Sequence, residues 1–102
     1  MGRVRYRVVQ KDGQEIVEEI HKVVVHRIRM SDVEDPDLMV AEPIWQWQQT
    51  DAGKFIMQNA IVQPEWHRQL DHQLYGWQYS IVAELEKKKL SEYYLRFDKA
   101  TF

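Results

Sequence analysis

Hydrophobic and polar residues alternate most cleanly at the start of the chain, where Val4, Tyr6 and Val8 interleave with Arg3, Arg5 and Arg7. A period of two puts each set on one face of a β-strand, so RVRYRVVQ reads as a half-buried strand. A second run, from Ile16 to Met30, places Ile16, Ile20, Val24, Ile28 and Met30 on one face, and Asp12-Gly13 between the runs marks a hairpin turn. Two registers compete. A two-residue loop sets Arg5 beside Ile20 and mixes polar with apolar groups. A three-residue loop with Gly13 left-handed sets Val8 beside Ile16, Val4 beside Ile20 and Arg5 beside Glu19. A one-residue slip reverses a whole face, so the like-with-like register is the expected one. The second run outlasts its partner and needs another neighbour, most simply a strand from the C-terminal half. His21 and His26, five apart in one strand, point to opposite faces.

The period changes in PIWQWQQTDAGKFIMQNA, Pro43 to Ala60, the one long run that fits an amphipathic helix. Ile44, Trp47, Phe55 and Asn59 fall near one stripe, and Trp45, Ala52, Ile56 and Ala60 on the next, making a broad apolar face that a sheet must cover. Proline suits a first helical turn and biases the residue before it toward extended backbone, so the helix is expected to begin at Pro43 with Glu42 outside it. Thr50 is placed to cap a second helix. Gly53 lowers helix stability by about 1 kcal/mol relative to alanine, so a break at Thr50 is open. Of Trp45 and Trp47, one belongs in the core and the other is half-exposed, where it could anchor a partner.

Between these regions SDVEDPD is a loop by chemistry, with Ser31 and Glu34, or Asp35 and Pro36, capping a short turn through LMVA. Its carboxylates lack the spacing and terminal glutamate of a helix-loop-helix calcium site, and capping is the better reading. After Gln63-Pro64, EWHRQLDHQL reads as a loop or short helical turn. Trp77, Tyr79, Ile81, Ala83 and Leu85 then alternate with polar residues, and Tyr93, Leu95 and Phe97 repeat the alternation beyond KKKLS. These predict a hairpin with lysines at its tip and a loosely held tail from Asp98.

At 102 residues and 44% hydrophobic, the chain fits a single domain, 1–102, with one core. The absence of cysteine excludes a disulfide framework and thiolate chemistry, and no apolar run suits a membrane span or secretory signal; a reducing, cytosolic setting fits. A net charge of -2 conceals asymmetry: residues 1–30 hold seven Lys/Arg against four Asp/Glu, residues 31–65 one against seven. The acidic middle argues against nucleic acid along that surface.

The one arrangement that resembles a catalytic or metal site is His67, Asp71 and His72. On a helix His67 and Asp71 would share a face, as a general base oriented by a carboxylate or as zinc ligands. The histidines are five apart, however, with no intervening glutamate, so a surface pair is expected, with no catalytic residues, no metal and no cofactor.

The run VEDPDLMVAEPIWQWQQTDAGKFIMQNA, followed by LYGWQYSIVAEL, resembles a class of short uncharacterised proteins of tailed bacteriophages that share a tryptophan-glutamine helix before an aromatic strand; the likeness covers roughly residues 28 to 97. The resemblance implies a viral setting, in the host cytoplasm or the virion, and no catalytic residues.

The expectation is therefore an α+β domain in the order β-β-α-β-β, a four-stranded antiparallel sheet with one main helix on one face. Its expected function is non-enzymatic contact with a host or viral protein, or with copies of itself, through the aromatic positions Trp45, Trp66, Trp77 and Tyr94, with neither nucleic acid nor membrane as partner. A small metal-dependent or His/Asp-based hydrolase is the alternative.

Overall fold

The computed structural model describes residues 3–31, 33–71 and 76–97. Four strands and four helices follow one another as β1 (Arg3–Lys11), β2 (Gln14–Met30), α1 (Pro36–Met39), α2 (Ala41–Gln49), α3 (Asp51–Asn59), β3 (Glu65–Asp71), β4 (Gly76–Glu86) and α4 (Lys87–Phe97). The protein is α+β, with one four-stranded antiparallel sheet in the order β1-β2-β4-β3. The element order thus differs from β-β-α-β-β. The stretch expected to be a loop is strand β3, and the expected last strand is helix α4. Leu90, Tyr93 and Phe97 recur at helical spacing, and Leu90 and Tyr93 are buried. The alternation of Tyr93, Leu95 and Phe97 is incidental, since Leu95 is exposed. The tail from Asp98 lies outside the described residues.

The hairpin adopts the two-residue register: Arg5 pairs with Ile20, Val8 with Val17 and Lys11 with Gln14. Asp12 and Gly13 both take positive φ, 52° and 76°, the signature of a type I′ turn whose twist matches that of the flanking strands. Turn geometry sets the register here, and the matching of faces does not. A second correction lies in β2, where the pairing shifts between Val24 and His26 so that Val25 bulges out of the ladder. Ile28 and Met30 are thereby switched to the face opposite Ile20 and Val24. The same bulge puts His21 and His26 on one face, opposite Leu85 and Ile81 respectively, where an unbroken strand would have separated them.

The long helix is broken at Thr50, which ends α2 and caps α3: its hydroxyl donates to the Trp47 carbonyl (2.6 Å) and accepts from the Gly53 amide (3.0 Å). The helix also begins earlier than expected, at Ala41, so Glu42 is helical; Pro43 sits in the first turn, where an amide hydrogen is not needed. In the acidic loop Pro36 opens α1 with Asp35 as cap residue, and no side-chain cap bond forms there.

The helices pack on the sheet face that carries Tyr79, Ile81, Ala83 and Leu85, and Val40, Trp47, Phe55, Ile56, Leu90 and Tyr93 complete the core. Trp47 is thus the buried tryptophan of its pair and Trp45 the exposed one. α4 starts where β4 ends and runs back along the sheet, so that the Tyr93 hydroxyl donates to the carbonyl of the bulged Val25 (3.2 Å). This direction leads the helix layer away from the β1–β2 turn.

Candidate interaction surface

β4 begins to pair with β2 at Ile20. Beyond that point Tyr6–Lys11 and Gln14–Glu19 form a two-stranded ribbon that no third strand joins among the described residues, with only the start of α4 near its base at Glu19. The molecule is correspondingly long, 54 × 24 × 23 Å, with a radius of gyration of 15.8 Å where a compact domain of this size has about 13 Å. Ribbons of two strands are marginally stable alone.

Its two faces differ in chemistry. On the helix side Tyr6, Val8 and Val17 are 66%, 62% and 64% exposed, and Val4, opposite His21 where β4 has joined, is 50% exposed, an apolar row left open to solvent among the described residues. On the other side stand Arg3, Arg5 and Arg7. The Nε of Arg5 donates to Glu84 (2.7 Å), a bridge from β1 to β4 that lies across β2 on the face where Ile20 is completely buried. Arg7 donates to Glu18 (2.8 Å), which Lys11 also approaches at 3.6 Å. The Arg7 hydrogen bond holds the Glu18 carboxyl below its ordinary pKa, and His21 does the same for Glu19. A shallow groove of about 550 Å³, lined in part by Tyr6, Val17, Glu19 and Lys87, separates the ribbon from the start of α4.

Trp45, Trp66, Trp77 and Tyr94 lie on four different elements, and no two of these rings stack on each other among the described residues. Trp45, Trp66 and Tyr94 are exposed, whereas Trp77 is half-buried under the Arg68 guanidinium, 4.5 Å from its ring centre. Trp66 lies against Tyr79 (5.5 Å), whose hydroxyl donates to Asp37 at 2.5 Å; Arg68 reaches the same Asp37 oxygen at 3.2 Å. This cluster ties α1 to the β3 edge. Strict alternation marks RVRYRVVQ as a strand with one apolar face, but it does not show that this face is left uncovered. The signal of that exposure was the lack of any later segment long enough to roof both the hairpin and the central strands.

The helical face on which His67 and Asp71 would meet does not form. The stretch is β3, and along a strand positions four apart are separated by about 13 Å. His67 instead bridges Glu65 at 3.2 Å, both side chains exposed, and His72 lies outside the described residues. No group of three or more metal-ligating side chains occurs among the described residues, and no helix there is long and apolar enough to cross a membrane.

His26 stacks on Trp47 with ring centres 5.5 Å apart and 15° between planes. Partial burial lowers its pKa from the ordinary 6.5, so the folded protein holds fewer protons there than the unfolded chain. The His26 contribution is therefore intact above about pH 6.5 and declines as pH falls through the lower folded value. Unfolding midpoints measured from pH 7.5 to 5 are expected to fall, and the fall to be shallower in His26→Phe, which keeps the stacked ring. Equal slopes in the two proteins would assign the acid sensitivity elsewhere.

The fold is a two-layer α+β domain with a projecting ribbon. No known family, curated protein or solved structure matches this chain.

Proposed function

We propose that the chain is a non-enzymatic protein–protein interaction module, an accessory structural or host-factor-binding protein of a tailed bacteriophage, and that the β1–β2 ribbon is its principal contact element. One observation carries the contact reading: Tyr6, Val8 and Val17 form an exposed row, continued by Val4, on a ribbon that among the described residues has no third strand paired to it. Apolar surface organised in this way gains most when a partner covers it. Trp66 and Trp45 offer further exposed rings, but on separate elements, which makes them flanking contacts. The viral setting, in host cytoplasm or virion, rests on the tryptophan-glutamine helix and aromatic strand that resemble those phage proteins.

The test is site-specific photo-crosslinking in cells that naturally make the protein. A photoreactive residue at position 6 or 8 is expected to give a discrete adduct with one protein, and the same group at the exposed Gln58 of α3 none. The reading fails if positions 6 and 8 give no adduct, or the same adducts as position 58.

A further inference from the structure

We infer that the open edge of β1 takes up an extended strand of a partner protein in which apolar and acidic residues alternate. This inference rests on the contact reading above and specifies its chemistry.

The phase of the hairpin decides which backbone groups are free. In a two-residue type I′ hairpin the residues flanking the turn, here Lys11 and Gln14, exchange both hydrogen bonds, and bonded pairs recur at every second position. The odd residues from Arg3 to Lys11 therefore turn their amides and carbonyls toward β2. Val4, Tyr6, Val8 and Gln10 turn theirs outward, along an edge that no other strand occupies among the described residues. Four donors and four acceptors stand in a row, spaced by about 7 Å, the repeat of two strand residues.

Side chains dictate what can pair there. An added strand places each residue beside one of β1 on the same face. Opposite Val4, Tyr6 and Val8 it needs apolar groups. Opposite Arg3, Arg5 and Arg7 it needs carboxylates, because β1 carries four cations and no anion. The carboxylates already in contact are too few: Arg7 and Lys11 share Glu18, Arg5 has Glu84, and Arg3 has no carboxylate partner among the described residues. Arg5 binds Glu84 through Nε, and both side chains keep exposure enough, 49% for Arg5 and 39% for Arg7, to meet a second anion.

The same arithmetic of faces disfavours a second copy of the chain as occupant. Antiparallel self-pairing centred on Tyr6 joins Val4 to Val8 of the copy, but also sets Arg5 directly against Arg7 of the copy, and like charges at opposed positions are destabilising. Edge cations commonly serve to block this kind of self-association. An acidic strand turns the same residues into attraction.

The experiment uses the intact protein and a capped nine-residue probe alternating valine and glutamate, followed by amide NMR and hydrogen exchange. Binding is expected to shift and protect the amides of Val4, Tyr6, Val8 and Gln10, and to weaken with salt. Replacing glutamate by lysine in the probe should weaken binding about tenfold or more, as three opposed pairs change sign. Arg3→Glu with Arg7→Glu should reverse that preference. Val8→Pro removes an outward donor and leaves the β1–β2 ladder intact, so it should abolish binding with little change in melting temperature. N-methylation of every second probe residue removes the probe's donors without altering the protein and should have the same effect. The inference is overturned if the lysine probe binds as well as the glutamate probe, if N-methylation is without effect, or if the wild-type protein dimerises through β1. Unchanged crosslinking from position 6 in Val8→Pro would likewise overturn edge pairing, while leaving the contact reading standing.

Discussion

Alanine at position 53 is expected to cost a large share of the stability of this fold, although alanine is the better helix former. Propensity alone predicts a gain of about 1 kcal/mol in a helix interior. Geometry opposes it. A Cβ built on Gly53 would overlap the carbonyl oxygen of Trp47 and lie 2.7 Å from its carbonyl carbon and 2.9 Å from the Gln48 Cα. These are backbone atoms and cannot rotate aside. Gly53 also donates its amide to Thr50, the residue that ends α2 and starts α3, so any shift that relieves the overlap breaks the cap. Overpacking against side chains costs about 1–3 kcal/mol, and against fixed backbone more; we expect a loss of roughly 3 kcal/mol or more against a total of about 5–15. Denaturant midpoints measure it. Gly13→Ala is the contrast, since that glycine has open space around it and loses only its left-handed backbone, worth about 1–2 kcal/mol. A Gly53→Ala protein as stable as wild type would mean that α2 and α3 do not approach this closely.

Gly53 also marks how far the sequence could be read. Its presence was visible and its reason was not, because the close approach depends on the angle between two helices joined at Thr50. The Asp12-Gly13 turn and the strands β1, β2 and β4 were legible, since each rests on local alternation or turn chemistry; the count of four antiparallel strands agrees only because the alternation in α4 stood in for β3, whose EWHRQLD reads as a loop. The hairpin register was not. Matching faces presumes that one face is buried, and in a ribbon beyond the helix layer neither is. The Val25 bulge left no local trace, yet it reverses every later side chain of β2 and brings His21 and His26 to one face. In α4, alternation and helical spacing coexist over Leu90–Phe97, and a window that short cannot decide between them. The candidate surface was legible in its parts, the arginine row and the apolar row. Its exposure depends on where α4 runs, a tertiary fact.

Truncation of Tyr79 to alanine is the second change expected to have a large effect, because this one side chain joins three elements. Its ring is fully buried and lies against Trp66 of β3, and its hydroxyl donates to Asp37 of α1. Removing the ring leaves a cavity in the middle of the sheet face, so Tyr79→Ala should lose about 3–5 kcal/mol. Tyr79→Phe separates the two roles. It keeps the ring and deletes one hydrogen bond to a charged acceptor, for an expected cost of about 1.5–3 kcal/mol. Among the described residues Asp37 then keeps only Arg68 as a side-chain partner, so the hold of α1 on the β3 edge weakens and exchange of the α1 amides should quicken more than that of the β4 amides. The pH dependence supplies an independent reading. Burial, and then the hydrogen bond to Asp37, raises the Tyr79 pKa above its ordinary 10, so the folded state holds this proton more tightly than the unfolded chain does. Stability from this group is complete below about pH 10 and is lost as pH rises through the folded value. Wild-type protein should therefore lose stability between pH 9.5 and 11 more steeply than Tyr79→Phe. Parallel alkaline profiles, together with unchanged α1 exchange in the phenylalanine variant, would show that the Tyr79 hydroxyl does not hold α1 to the sheet.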